Sequence, residues 1–316
     1  MVKTNHLAVL GAAVGALVAV GLLLLMLMLV EVRPAEATFP GKNGKIAYSG
    51  YDATDKDYEI YTIGPGGGGK FKVTDNSMSD GEPFYSPNGK KIVYSGLDPK
   101  DREIYTINAG GGGRVQLTDN TTFEYEPSYS PDGKKIVYSG PDAPNGDYEI
   151  YKINAGGGGR VQLTDNNAND GAPSYSPNGK KIVYAGQDAP NGDSEIYTIN
   201  AGGGGKVQLT HNDTDDYYCS YSPSGKKIAY SGPDAPNGDY EIYTINAGGG
   251  GRVQLTDNNT QDDHPSYSPD GKKIAYSGKD APNGDREVYK INAGGGGKVQ
   301  VTDNATNDYE PSWGSS

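Results

Sequence analysis

Apolar and polar positions alternate in short runs along this chain, and the runs return at a fixed interval. In Lys134-Lys135-Ile136-Val137-Tyr138 the period is two. That spacing puts Ile136 and Tyr138 on one face of an extended strand and Val137 on the other. Around this run one unit reads as four short strands. Pro127 to Ser130 opens it, and Pro131-Asp132-Gly133 makes a tight turn, with Pro presetting φ and Gly closing it. The run to Gly140 is the second strand. A polar loop, PDAPNGDY, leads to the third, Glu149 to Asn154. The glycine-rich stretch that follows is too flexible for a strand interior, and Arg160 to Thr164 forms the fourth. No segment beyond the N-terminus carries a helical period.

The unit recurs six times. Its isoleucine falls at Ile46, Ile92, Ile136, Ile182, Ile228 and Ile274, in steps of 46, 44, 46, 46 and 46 residues. Four antiparallel strands at this period predict an all-β, six-bladed propeller with four-stranded blades around a channel. Helical and leucine-rich solenoids need helices or shorter repeats. Tyr48, Tyr94, Tyr138, Tyr184, Tyr230 and Tyr276 share one place in the second strand, and Tyr61, Tyr105, Tyr151, Tyr197, Tyr243 and Tyr289 share one in the third. Rings at blade-periodic positions are expected to fill the wedges between blades rather than form a sugar-stacking surface. First-strand copies number seven when Thr38-Phe39-Pro40 and Pro311-Ser312-Trp313 are both counted. The C-terminal copy is expected to complete the blade opened by Lys45 to Ser49, which removes an open sheet edge. Thr38 to Gly41 competes for that place.

Residues 1–37 differ in kind. Leu7 to Val30 is an uncharged apolar run, ended by Glu31-Val32-Arg33-Pro34, and Ala35-Glu36-Ala37 matches a small-x-small cleavage site. This reads as an export signal cleaved after Ala37, or as a retained N-terminal anchor, since the run is long enough to span a bilayer. Either way residues 38–316 form a propeller outside the cytoplasm, periplasmic, extracellular or held at the outer face of the membrane. The segment carries no cysteine for lipidation. The one thiol, Cys219, is expected to be a small buried residue and permits no intrachain disulfide.

The formal net charge is −12. Apart from Asp132 and Asp270, the acids of the repeats lie in the loops after second and fourth strands, which share one end of a propeller. Lysine pairs such as Lys134 and Lys135, and Lys70, Arg114, Arg160, Lys206, Arg252 and Lys298 after the glycine turns, are assigned to the other end. An acidic face suited to cations or a basic protein, and a basic face suited to an anionic envelope polymer, are the expectation. Local turn chemistry, multiplied by duplication, accounts for the same bias.

Catalytic signatures are sparse. No G-x-S-x-G elbow occurs. The three histidines are His6, His211 and His264; His211 stands where the other copies have Asp75, Asp119, Asp165, Asp257 and Asp303. His264, beside Asp262 and Asp263, is a candidate His–Asp metal site. The loop D-A-P-N-G-D-x-E starts at Asp142, Asp188, Asp234 and Asp280. Its oxygens suit Ca2+, and an Asx-type turn explains them equally well. No metal is assigned. The glycine runs lack the GK[ST] of a phosphate loop, and the basic face lacks the aromatics of a nucleic-acid surface. The residues before each first strand, Glu82, Glu126, Ala172, Tyr218, His264 and Glu310, border the acidic mouth of the channel. Glu82, Glu126, Asp216, His264 and Glu310 are the candidate partner-binding residues. Titratable groups converging there with perturbed pKa values would point to catalysis; a docking face does not require them.

The motif PSYSPDGKKIVYSG…EIYTIN…VQLTDN resembles the WD40-like PD40 repeat of TolB-type six-bladed propellers, from Phe39 to Trp313. The resemblance implies that fold, a periplasmic or otherwise exported setting, and docking of an envelope lipoprotein through the propeller. Other carriers of the repeat are propeller halves of serine peptidases and lyases of pectic oligosaccharides. The reading is a monomeric, non-enzymatic protein-binding or scaffolding module of the cell envelope, without cofactor unless Ca2+. It meets an envelope protein or peptide, and the membrane only through its N-terminal segment. The runner-up is a lyase-like enzyme or glycan binder with a divalent metal at the mouth.

Overall fold

A short inner strand, two long central strands and a two-residue outer strand repeat through the computed structural model. It describes residues 40–142, 146–187, 189, 191–233, 238–279 and 281–316. The expected leader with its cleavage site, and Asp188, Asp234 and Asp280, lie outside the described residues. The third blade consists of Tyr125–Tyr129, Lys135–Pro141, Tyr148–Asn154 and Val161–Gln162. Six such antiparallel sheets follow in chain order around a channel. Among the described residues no helix is long and apolar enough to cross a membrane.

The first blade is completed from the other end of the chain. Asn43–Asp52, Asp57–Ile63 and Phe71–Lys72 are joined by Asp308–Ser315 as inner strand. Ile46 pairs with Trp313 and Ala47 with Ser312. The indole packs against Ile46, Tyr48 and Val301 at 4% exposure. The C-terminal strand therefore takes the place for which Thr38 to Gly41 competed.

The alternation of the second strand decides the packing. Ile136 and Tyr138 face back toward blade two, in a cluster with Val93, Ile104 and Leu117. Val137 faces forward, in a cluster with Tyr175, Ile182 and Tyr184 of blade four. Six clusters of this kind fill the spaces between blades, and the six second-strand tyrosines are fully buried. Tyr138 stacks on its third-strand partner Tyr151 with centroids 5.8 Å apart, as the other five pairs do. The tyrosines are core, as their spacing implies.

The outer strand departs from expectation. It is two residues long, not five. Leu163 still donates its amide to the Ile150 carbonyl, but the Ile150 amide donates to the Thr164 hydroxyl at 2.9 Å. A side chain thus replaces a ladder carbonyl and the strand peels away. The same threonine bond ends the outer strand of every blade. The inner strands also begin earlier than expected, because pairing resumes on the far side of a bulge.

Removing residues 308–316 should open the ring and produce aggregation at the freed edge, measured by sedimentation; a truncation as monomeric and stable as the parent would disprove closure by this strand. Trp313→Ala should lower unfolding free energy by about 3–5 kcal/mol in urea titrations.

Candidate functional site at the channel mouth

The bulge of each inner strand presents one residue in the left-handed backbone region. These are Glu82, Glu126, Ala172, Tyr218, His264 and Glu310, with φ between 51° and 57°. A non-glycine residue there costs on the order of 1–3 kcal/mol, and such outliers concentrate at functional sites. All six, with the prolines or cysteine that follow them, line one cavity of about 110 Å³.

Three glutamates form a relay around half of this ring. Glu310 Oε2 accepts from the Glu82 amide (2.7 Å) and the Ser49 hydroxyl (2.7 Å). Glu82 Oε2 accepts from the Glu126 amide (2.6 Å) and Ser95 (2.6 Å). Glu126 Oε2 accepts from the Ala172 amide (2.5 Å) and Ser139 (2.9 Å). Each carboxylate thereby satisfies the strained bulge of the next blade with one oxygen. Burial, and then the charges of Glu310 and Glu126, push the Glu82 carboxyl up to about 8.

The other half is aromatic. Tyr218 and His264 stack with centroids 3.6 Å apart. Burial opposes a charge on His264, but Asp263, 2.9 Å from its Nδ1, and then Glu310 and Glu126 outweigh it and raise its pKa. Asp263 is in turn paired with Arg286; burial pushes its carboxyl up, and His264 and Arg286 hold it below the usual range. Glu82, Glu126, His264 and Glu310 thus meet at one place. Perturbed titratable groups converge there, the feature set out above for a catalytic site.

Asp216 does not join them. It is fully buried, its Oδ2 accepting from Asn212 Nδ2 at 2.8 Å, while the Asn212 amide binds Glu195. No partner can reach it without unfolding the blade. The motif recurs: a third-strand glutamate of one blade faces an inner-strand acid of the next, joined by an asparagine, as in Glu59–Asn76–Asp80 and Glu149–Asn166–Asp170. The adjacent glycine is required. A Cβ on Gly186 would lie 2.6 Å from Asp170 Oδ1.

These pairs correct the charge reading. Much of the acidic end is buried in them rather than displayed. The cations assigned to the opposite face fold back as well. Arg114 and Arg160 lie over the Tyr105 and Tyr151 rings at 3.9 and 3.8 Å and stabilise the charges of Asp80 and Glu124. Lys70, Lys206 and Arg252 do the same for Asp308, Asp170 and Asp216. Each cation compensates its own blade while remaining exposed to solvent.

Sequence reasoning missed a second surface. The chain has 25 tyrosines. Beyond the core pairs and the repeated inner-strand ring, as at Tyr129, eight remain, and they form three clusters. Tyr51, Tyr58 and Tyr309 make edge contacts. Tyr125 meets Tyr148, and Tyr217 meets Tyr218 and Tyr240. Two grooves of about 300 Å³ and 310 Å³ run from the mouth and are lined by these rings. Their irregular placement against a regular repeat is the signal that could have exposed them. Of the remaining candidates, His211 is exposed on a loop, and Cys219 is buried, with Sγ 3.4 Å from the Ala172 carbonyl.

A closed six-bladed propeller with a half-acidic, half-aromatic channel mouth is the class of protein that this fold and site define. Residues 37–158 match the family model of the PD40 TolB beta propeller domain, and the whole described ring is a six-bladed propeller whose fold is shared with solved TolB structures. TolB from Acinetobacter baumannii superposes with a TM-score of 0.75 at 22% identity, over 88% of this chain and 67% of that one. The putative TolB from Agrobacterium tumefaciens gives 0.66 at 20% identity, over 84% and 91%. An oligogalacturonate lyase in complex with manganese gives 0.57 at 16%, over 79% and 72%. At these identities the likeness concerns the fold. No curated protein sequence matches the chain.

Asp80, Glu124, Asp170, Asp216 and Asp308 are each raised to about 7, burial being the largest cause. The folded chain then holds protons that an unfolded chain releases above about pH 4. Their stabilising contribution is complete below that value and is lost as pH rises through 7. The melting temperature should therefore fall between pH 5 and pH 8, and Asp170→Asn should flatten the slope in thermal melts across that range. A melting temperature that rises over the same interval would show that these pairs do not hold protons.

Proposed function

We propose that this chain is an exported, non-enzymatic propeller that binds a protein or peptide of the cell envelope at the channel mouth. The partner inserts a cationic side chain between Glu310, Glu82 and Glu126, and its flanking residues lie in the tyrosine grooves. The observation that carries this reading is the gathering of six non-core tyrosines, Tyr58, Tyr125, Tyr148, Tyr217, Tyr218 and Tyr309, in grooves that also contain Glu82, Glu126 or Glu310. Tyrosine supplies large, rigid contact area with a polar tip and is enriched in protein interfaces. A cavity of about 110 Å³ is small beside the several hundred Å³ of sites that enclose a ligand, and it suits one side chain. Likeness to two TolB structures and the leader's export pattern support the envelope setting.

The convergence of Glu82, His264 and Tyr218 favours a second reading, an acid–base enzyme or glycan binder of the lyase kind with a divalent metal at the mouth. One assay pair separates the two. A fluorescent oligolysine peptide should bind the full chain, release a proton as Glu82 ionises, and lose at least tenfold in affinity when Glu82 and Glu310 become Gln or Tyr125 becomes Ala. Formation of an ultraviolet-absorbing unsaturated product from oligogalacturonate with Mn2+, together with no peptide binding, would establish the second reading instead.

A further inference from the structure

We propose that blade three carries a calcium site at its rim, built from Asp142, Asp147, Glu149 and Asp165, at the place that blade one fills with the ammonium of Lys72.

The argument begins in blade one. Lys72 Nζ lies 2.8 Å from Asp52, 3.3 Å from Asp55 and 2.5 Å from Asp75. Strand register carries these positions to blade three. Lys72 pairs with Tyr61 as Gln162 pairs with Tyr151. Tyr51 pairs with Tyr58 as Pro141 pairs with Tyr148, so Asp52 and Asp57 correspond to Asp142 and Asp147. Asp75 corresponds to Asp165, each closing its V/L-T-D segment. Blade three thus keeps the counterparts of Asp52 and Asp75, has asparagine in the sequence place of Asp55, and has the neutral, exposed Gln162 in place of the cation.

The geometry suits an ion. One oxygen each of Asp142, Glu149 and Asp165 lies within 4.8 Å of the others. Ligands 2.3–2.6 Å from a common Ca2+ stand no more than about 5 Å apart. Glu149 is fully buried, and its Oε2 has no hydrogen-bond partner. Neither oxygen of Asp147 has one, although both are buried. A hard cation among Asp142, Glu149 and Asp165 would lie where Lys72 Nζ lies among Asp52 and Asp75 in blade one. Blade two keeps less of the set. Asp98 accepts from the Lys100 and Asp101 amides, and Lys100 Nζ lies 3.9 Å from Asp119. Carboxylate sites on extracellular modules bind Ca2+ with Kd of about 10⁻⁴–10⁻³ M.

The test is calorimetric titration of the full chain with CaCl2 in excess NaCl. Gln162→Lys, which imports the ammonium of blade one, should lose one bound Ca2+ per chain. Asp165→Asn, an exposed change that leaves the fold intact, should weaken the same ion. Lys72→Gln should gain one ion by opening the ligand set of blade one. If no calcium heat appears above that of NaCl, or if Gln162→Lys binds as many ions as the parent, the assignment is overturned. Neither outcome bears on peptide binding at the mouth.

Discussion

Each blade is fastened to the next by two carboxyl groups that face each other in the interior. One comes from a third strand and the other from the following inner strand, as in Glu149 and Asp170. Two buried carboxylates side by side would repel, and desolvation would disfavour both charges. The chain answers this with an asparagine that bonds both acids, a threonine hydroxyl nearby and a cation laid over a tyrosine ring, while burial raises the Asp170 carboxyl to about 7. Breaking such a unit by removing one partner leaves the other buried and uncompensated, which is the costly case for buried charge. Six repeats of the clasp, together with the closing inner strand of blade one, turn a row of small sheets into a ring without an open edge.

The clasp also determines which charges remain for function. Acids that a loop count assigns to one surface are divided between three environments. Some are buried in the clasps, some gather at the blade rims with Asp52 and Asp142, and three glutamates line the channel. The channel glutamates share their grooves with six of the tyrosines outside the repeat. The mouth is polarised within a symmetric frame. Ala172, Tyr218 and His264 stand where three other blades have glutamate, so half the ring is acidic and the other half holds the stacked Tyr218 and His264 rings. The bulge makes this possible, because it fixes the backbone at each site independently of which side chain occupies it.

The regular part of the molecule was legible in the chain because it is local and repeated. Alternation at Ile136, Val137 and Tyr138 marked two packing faces, and the structure uses each face as the pattern implied. The extra copy of the inner-strand motif at Trp313 announced closure. The outer strand was overdrawn because its end is decided by a side-chain hydroxyl replacing a carbonyl, a choice that hydrophobic period does not encode. Asp216 looked like a surface acid because aspartate is usually exposed; its burial depends on an asparagine, on Glu195 of the preceding blade and on a glycine that leaves room for it.

The sequence by itself determined the period, the four strands, the six blades, the faces that pack and the ends that join, since each follows from residues close in the chain or from counting copies. The tertiary structure alone decided which acids are buried and which face the channel, where the cations point, and how tyrosines from the strands of different blades come to line grooves at one mouth. Those outcomes depend on neighbours brought together across blades, where desolvation and pairing set the state of a group that has the same identity in every copy.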